Sequence, residues 1–186
     1  MSSLSYNGQY AGFLNLRRGF DSCQRDHTLH TGTQMTTFHI TELGEQHRPL
    51  IRDHLLRLSK EDRQLRFFSA VGDFMITRYA MELIDFHRDI VFGEIQDGKL
   101  IGMSSISNIE GVGCEAAFSI DEDQRGTGLA RELMRAVIQR CRTLGVHKIC
   151  MSCLRRNVKM QALARSFGMD MKITFDEAYA ELEFAA

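Results

Sequence analysis

The stretch Asp121–Leu144 reads DEDQRGTGLARELMRAVIQRCRTL, and the rest of the chain is arranged around it. It opens with acids, passes a glycine pair at Gly126 and Gly128, and becomes an amphipathic helix. Leu129, Leu133, Val137, Cys141 and Leu144 recur at helical spacing, so one stripe faces a core. Glycine has no Cβ, so Arg125-Gly126-Thr127-Gly128-Leu129-Ala130 lets a ligand come close to the backbone. The first turn of a helix offers unpaired N–H groups and a partial positive charge. Together these features predict an anion site, with Arg125 as an added cation. A P-loop would end in Gly-Lys-Ser/Thr, whereas this chain has Leu129-Ala130-Arg131. A dinucleotide fingerprint needs a third glycine, which is missing here. On the loop alone, the other reading is a strand-to-helix turn that binds nothing.

At 186 residues the chain is long enough for one domain with a full core. Hydrophobic residues at 44% and charged residues at 25% are ordinary for a globular protein. A formal net charge of -1 gives no electrostatic reason to expect nucleic acid or an anionic membrane as partner. No apolar run approaches the roughly 18 residues of a membrane span. The five cysteines are scattered and no secretory leader is visible, so reduced thiols and a cytoplasmic location are expected.

Residues 1–34, rich in serine and glycine and without sustained periodicity, are expected to form a poorly ordered extension ahead of a domain at 35–186. His27 and His30 lack a third ligand nearby and read as solvated. Thr36 to Leu43 alternates as a first strand. A helix follows from about Glu45 to Arg57, with Pro49 in its first turns. Ser59-Lys60-Glu61-Asp62 resembles a capping box that starts a short helix carrying Arg66, Phe67 and Phe68. Asp73 is expected to cap a third helix reaching about Phe86. Strands follow at Asp89 to Gln96 and, after the hairpin signal Asp97-Gly98, at Lys99 to Ile109. Turn residues Glu110 to Gly113 lead to a buried strand, Cys114 to Ile120, which runs into the glycine loop. Gly145 ends the long helix. A strand at Val146 to Leu154, a helix at Asn157 to Phe167 and a hairpin at Met169 to Phe175 and Tyr179 to Phe184 complete the chain.

The hexapeptide from Arg125 to Ala130 matches the acyl-CoA pyrophosphate loop of the GNAT acetyltransferases, with Arg125, Gly128 and Ala130 in the fixed places. The segment Asn157 to Met169 resembles a second family motif, with Met169 where Phe is usual. The order of elements from Thr36 to Phe184 is also similar to that family. Arg66-Phe67-Phe68 and Cys114-Glu115-Ala116-Ala117-Phe118 look like the acetyltransferase domain of bacterial protein-lysine acetyltransferases. The resemblance implies an α/β GNAT fold, a mixed central sheet of about six to seven strands with helices on both faces.

It also implies acetyl-CoA as co-substrate, without a metal, and a primary amine as acceptor, either a protein lysine or a small metabolite. Phe118, Ser119 and Ile120 would then offer backbone groups to pantetheine, and an amide on that strand would serve as oxyanion donor. The pyrophosphate would sit on Arg125, Gly126, Thr127, Gly128, Leu129 and Ala130, and Asn157 would bond the pantetheine arm while also capping its helix. An ammonium has no lone pair, so a base is needed. Glu115, in an apolar strand, is the expected base because burial raises a carboxyl pKa. A solvated strand-end glutamate is the alternative, and Glu94 and His87 are the fallback bases. The family often has a tyrosine acid where this chain has Ala164; Ser166 and Tyr179 are substitutes to be weighed. Ala164 leaves room for a non-catalytic acyl-CoA-binding regulatory domain. Cys150 and Cys153, three apart on a strand, point to opposite faces and read as core thiols. The sequence leaves room for a homodimer.

Overall fold

The computed structural model describes residues 37–107 and 113–184. The expected extension, His27 and His30, and most of the turn before Cys114 lie outside the described residues. Seven strands form one mixed sheet: β1 (Thr41–Leu43), β2 (Ile90–Gln96), β3 (Lys99–Ser107), β4 (Cys114–Ile120), β5 (Lys148–Leu154), β6 (Asp170–Ile173) and β7 (Glu177–Glu183), in the order β1-β2-β3-β4-β5-β7-β6. All neighbours are antiparallel except β4 and β5. Both central residues of the β2–β3 turn, Asp97 (φ 52°) and Gly98 (φ 75°), have positive φ, as a type I′ hairpin requires.

Five α-helices cover the two faces: α1 (Arg48–Arg57), α2 (Lys60–Phe67), α3 (Asp73–Arg78), α4 (Leu129–Thr143) and α5 (Val158–Ser166). Ser59 Oγ accepts the Asp62 N–H at 3.1 Å and so starts α2 as its sequence implies. Gly145 (φ 68°) and the bond from Val146 N–H to Cys141 O close α4. Four expectations shift. Leu144, spaced to continue the buried stripe of α4, is 43% exposed, because the helix ends at Thr143 and Leu144 is its cap. Only Thr41–Leu43 pairs with β2, so the first strand is shorter than its alternation suggests; Phe38 and Ile40 pack on the core without joining the ladder. Asp73 is the first residue of α3 rather than its cap; Gly72 precedes it, and the Asp73 carboxylate pairs with Arg63 instead. Beyond Arg78 the helix widens into a π turn over Tyr79–Leu83.

Alternation along the strands separates two cores. Cys114, Ala116 and Phe118 face Leu129, Leu133, Val137 and Cys141 of α4, and Ala164 of α5 lies in the same cluster. Val91, Leu100 and Met103 face Ile51 and Leu55 of α1 and Ile76 of α3. Gly102 sets the depth of α4, because a Cβ there would lie 2.8 Å from side-chain atoms of both Ile120 and Leu129. The parallel β4–β5 ladder is unusually short. It contains only Cys114↔Ile149 and Glu115↔Cys150, after which the two strands part.

Candidate active site

The parting of β4 and β5 opens directly toward the glycine loop at the end of β4. A short 3₁₀ turn (Glu122–Gln124) carries the chain from Asp121 to Arg125, and Gly126 (φ 79°) and Gly128 (φ 99°) then turn it into α4. A Cβ added at either glycine would meet nothing within 4 Å, so the space above the loop is open. The barrier to substitution is the backbone, since L side chains rarely adopt these φ values. Arg131 N–H and Glu132 N–H turn back to Gly128 O at 2.9 Å and 3.3 Å. The amides of residues 126–130 have no backbone acceptor among the described residues. This is a cradle of free N–H donors at the positive end of α4, which suits a diphosphate.

Arg125 is less free than its sequence suggests. Its Nη2 lies 2.6 Å from Asp62 Oδ1, so its guanidinium ties the loop to α2. Thr127 Oγ1 donates to Gln124 O and braces the turn. Asn157 Oδ1 accepts the Met160 N–H at 3.2 Å, which makes it the cap of α5. Its amide NH₂ has no partner among the described residues. Phe118 is buried toward α4, while Ser119 and Ile120 lie at the open end of β4.

Glu115 stands at the last β4–β5 pair, where the strands begin to part. Cys114 and Ala116 face α4, so Glu115, Ala117 and Ser119 face the α1–α2 side. The Glu115 carboxylate makes no hydrogen bond or ion pair among the described residues. Burial raises its carboxyl above the ordinary value and outweighs the opposing charge of Arg66. Neither fallback base shares this position. Glu94 is paired with Gly102, whose missing Cβ faces Leu129, so Glu94 lies on the α4 side. His87 is exposed in the turn before β2.

No acid stands at Ala164, which is buried in the α4-side core. Ser166 Oγ is exposed and donates to Leu163 O. Tyr179, directly opposite Ser152, shares the Glu115 face, but its hydroxyl already donates to Glu181 Oε2 at 3.1 Å. Burial pushes the Tyr179 hydroxyl up, away from easy proton donation. Burial likewise pushes the Cys150 thiol up to about 11, which makes it a poor nucleophile. Among the described residues no group of three or more His, Cys, Asp or Glu side chains is placed to hold a metal.

Sequence reasoning missed a buried polar chain beneath the loop. His54 of α1, fully buried, meets Ser119 Oγ at 2.9 Å through Nε2. Its Nδ1 lies 2.8 Å from Asp121 Oδ1, at ion-pair distance but not aligned as a hydrogen bond. Asp121 Oδ2 is also met by Arg57 Nη2 and Lys99 Nζ, each at 3.0 Å. Burial alone would raise the Asp121 carboxyl, but His54, Lys99 and Arg57 together hold it well below the carboxylate range. The only advance signal was one histidine on the apolar side of α1 and an acid just before the glycine loop.

A parallel strand pair that parts beside a glycine loop with free amides at the start of a long helix suits an acyl-CoA-dependent transferase. The model of the acetyltransferase (GNAT) family matches residues 55–169, and the chain belongs to that family of acetyltransferases. Solved structures share the fold. The GNAT domain of S. lividans PAT is 18% identical with a TM-score of 0.67, over 78% of this chain and 89% of that one. The putative acetyltransferase yncA from Salmonella typhimurium, solved with its cofactor acetyl-CoA, is 16% identical with a TM-score of 0.62, over 81% and 98%. Ribosomal-protein-alanine N-acetyltransferase from Brucella melitensis is 18% identical with a TM-score of 0.61, over 78% and 99%. No helix among the described residues is long and apolar enough to cross a membrane.

Proposed function

We propose that the protein transfers an acetyl group from acetyl-CoA directly to a primary amine, a protein lysine or a small-molecule amine, with Glu115 as general base. The observation that carries this reading is the unpartnered Glu115 carboxylate at the point where β4 and β5 part. Acetyl-CoA supplies the activated acetyl group as a thioester. The free amides of residues 126–130 hold its diphosphate, and the unpaired edge of β4 from Phe118 to Ile120 meets the pantetheine arm as an added strand would. The Asn157 NH₂ completes the grip on that arm. Glu115, its proton affinity raised by burial, takes a proton from the ammonium form of the acceptor. The catalytic domain spans residues 35–186 and works in the cytoplasm, consistent with free thiols at Cys114, Cys141, Cys150 and Cys153.

Ala164, buried where the family often has an acid, favours a second reading, a regulatory domain that binds acyl-CoA without turnover. Calorimetric titration of acetyl-CoA into wild type and Gly128→Asp tests the binding site. Micromolar binding that disappears in the variant supports it, because Asp at φ 99° is strained and places a negative charge in the cradle. No binding by folded wild type would sink both readings. Turnover that persists in Glu115→Gln would remove the base, and binding with no turnover on any amine would leave the regulatory reading.

A further inference from the structure

A chain of polar contacts runs from α1 into the glycine loop. His54 Nε2 meets Ser119 Oγ at 2.9 Å, and His54 Nδ1 lies 2.8 Å from Asp121 Oδ1. The Asp121 carbonyl accepts the Gln124 N–H at 3.0 Å. The Gln124 carbonyl accepts the Thr127 hydroxyl at 2.7 Å. One connected path therefore leads from a buried ring to Thr127, inside the cradle formed by residues 126–130.

Stability alone does not account for the ring. His54 lies on the buried side of α1 with Ile51 and Leu55, and has no exposure itself. Burying a polar group costs free energy unless its partners offset it. A well-packed apolar side chain is often as stable in place of a buried ion pair. What an apolar side chain could not do is hold two separate points of the chain at once.

Those two points belong to the two halves of the proposed acyl-CoA site. Ser119 lies on the stretch of β4 whose edge would meet the pantetheine arm. Asp121 stands at the root of the loop: its N–H donates to Ile101 O at 2.9 Å, and the chain then turns away through Glu122–Gln124. The β5 pairing of β4 ends at Glu115, so the far end of β4 is held from β3 and, through His54, from α1.

We propose that His54 is a positioning residue for acyl-CoA, holding the arm edge of β4 and the diphosphate cradle in the relation that one acyl-CoA molecule spans. The inference rests on the acyl-CoA reading of the loop and extends it to a residue that touches neither half of the ligand. A ligand that fills both halves gains from their alignment, whereas a fragment that fills one half does not.

The test uses the full chain and measures dissociation constants for acetyl-CoA by calorimetry, and for ADP and S-acetylpantetheine by competition with it. Ser119→Ala removes one hydroxyl. His54→Asn keeps a nitrogen near the place of Nδ1, and His54→Gln keeps one near the place of Nε2. Urea midpoints measured in parallel show that each variant is folded. Both His54 variants should weaken acetyl-CoA roughly 10- to 100-fold, the scale of a small misplacement between two parts of a site. Ser119→Ala should weaken it roughly 3- to 10-fold, as loss of one hydrogen bond predicts, and it carries the test if the His54 variants do not fold. Each fragment should change by less than about 3-fold in every variant, because neither depends on the alignment. Unchanged acetyl-CoA affinity with only a lower urea midpoint would overturn the proposal, since the ring would then serve stability alone. An equal loss for acetyl-CoA and for either fragment would also overturn it, since the damage would then lie within one half. No acetyl-CoA binding by folded wild type would mark failure of the acyl-CoA reading itself.

Discussion

Asp121→Asn removes one charge and almost no volume from the buried chain beneath the glycine loop. The Asp121 side chain is 6% exposed and meets His54, Arg57 and Lys99. Arg57 and Lys99 are 33% and 44% exposed, so water screens them and each pair contributes at most about 1 kcal/mol. His54 has no exposure, and its partner cannot be replaced by solvent. Asparagine keeps an oxygen toward it, so the buried part of the loss is about 1–2 kcal/mol rather than the ~3–5 kcal/mol of an outright broken buried pair. The expected total is about 3 kcal/mol at pH 7, read as a lower urea midpoint at unchanged slope. The folded-state pKa of Asp121 is depressed. Its contribution is therefore full above the unfolded value near ~3.9 and is lost as pH falls toward the folded value. The gap between wild type and variant should close by about 1.4 kcal/mol per pH unit below that point. A gap under about 1 kcal/mol at pH 7, or one that widens in acid, would refute the account of this cluster.

For catalysis, the raised Glu115 carboxyl predicts an acidic limb in kcat/KM with an apparent pKa above the usual ~4.3 of a glutamate. The limb should vanish in Glu115→Gln along with most of the rate, and Arg66→Gln, which removes an opposing charge, should move it further up. Leu133→Ala, at a fully buried position on α4, should cost about 3 kcal/mol in chemical denaturation. A cost below 1 kcal/mol would mean that the helix does not pack as described.

Much of the arrangement can be read along the chain because its signals are local. The α4 stripe from Leu129 to Cys141, the Asp97-Gly98 hairpin and the glycine loop each depend on residues a few positions apart, and each forms where its pattern lies, whereas Leu144 falls past the end of the helix and is exposed. The extent of β1 is different, since alternation from Thr36 says nothing about how far β2 reaches to pair with it. The π turn over Tyr79–Leu83, after which Ile84 is extended, has no local mark, because apolar spacing does not tell an i→i+4 hydrogen bond from an i→i+5 one. In the candidate site, the buried setting of the Glu115 carboxyl could be read from its apolar strand. The constraint on Arg125 by Asp62 and the meeting of His54 with Ser119, 65 positions away, arise only when α1 and α2 pack on β4.

The two-pair seam between β4 and β5 has a mechanical consequence. The sheet is two plates, β1 to β4 and β5 with β7 and β6, joined edge to edge over a very short hem. α4 lies across both plates and acts as the rivet that keeps them together. A ligand lying in the gap would be a structural member as well as a reactant, fastening the plates along the length where the protein leaves them unjoined. Amide exchange along β4 beyond Glu115 and along β5 beyond Cys150 should therefore slow together when the gap is filled, while exchange between β2 and β3 stays as it was.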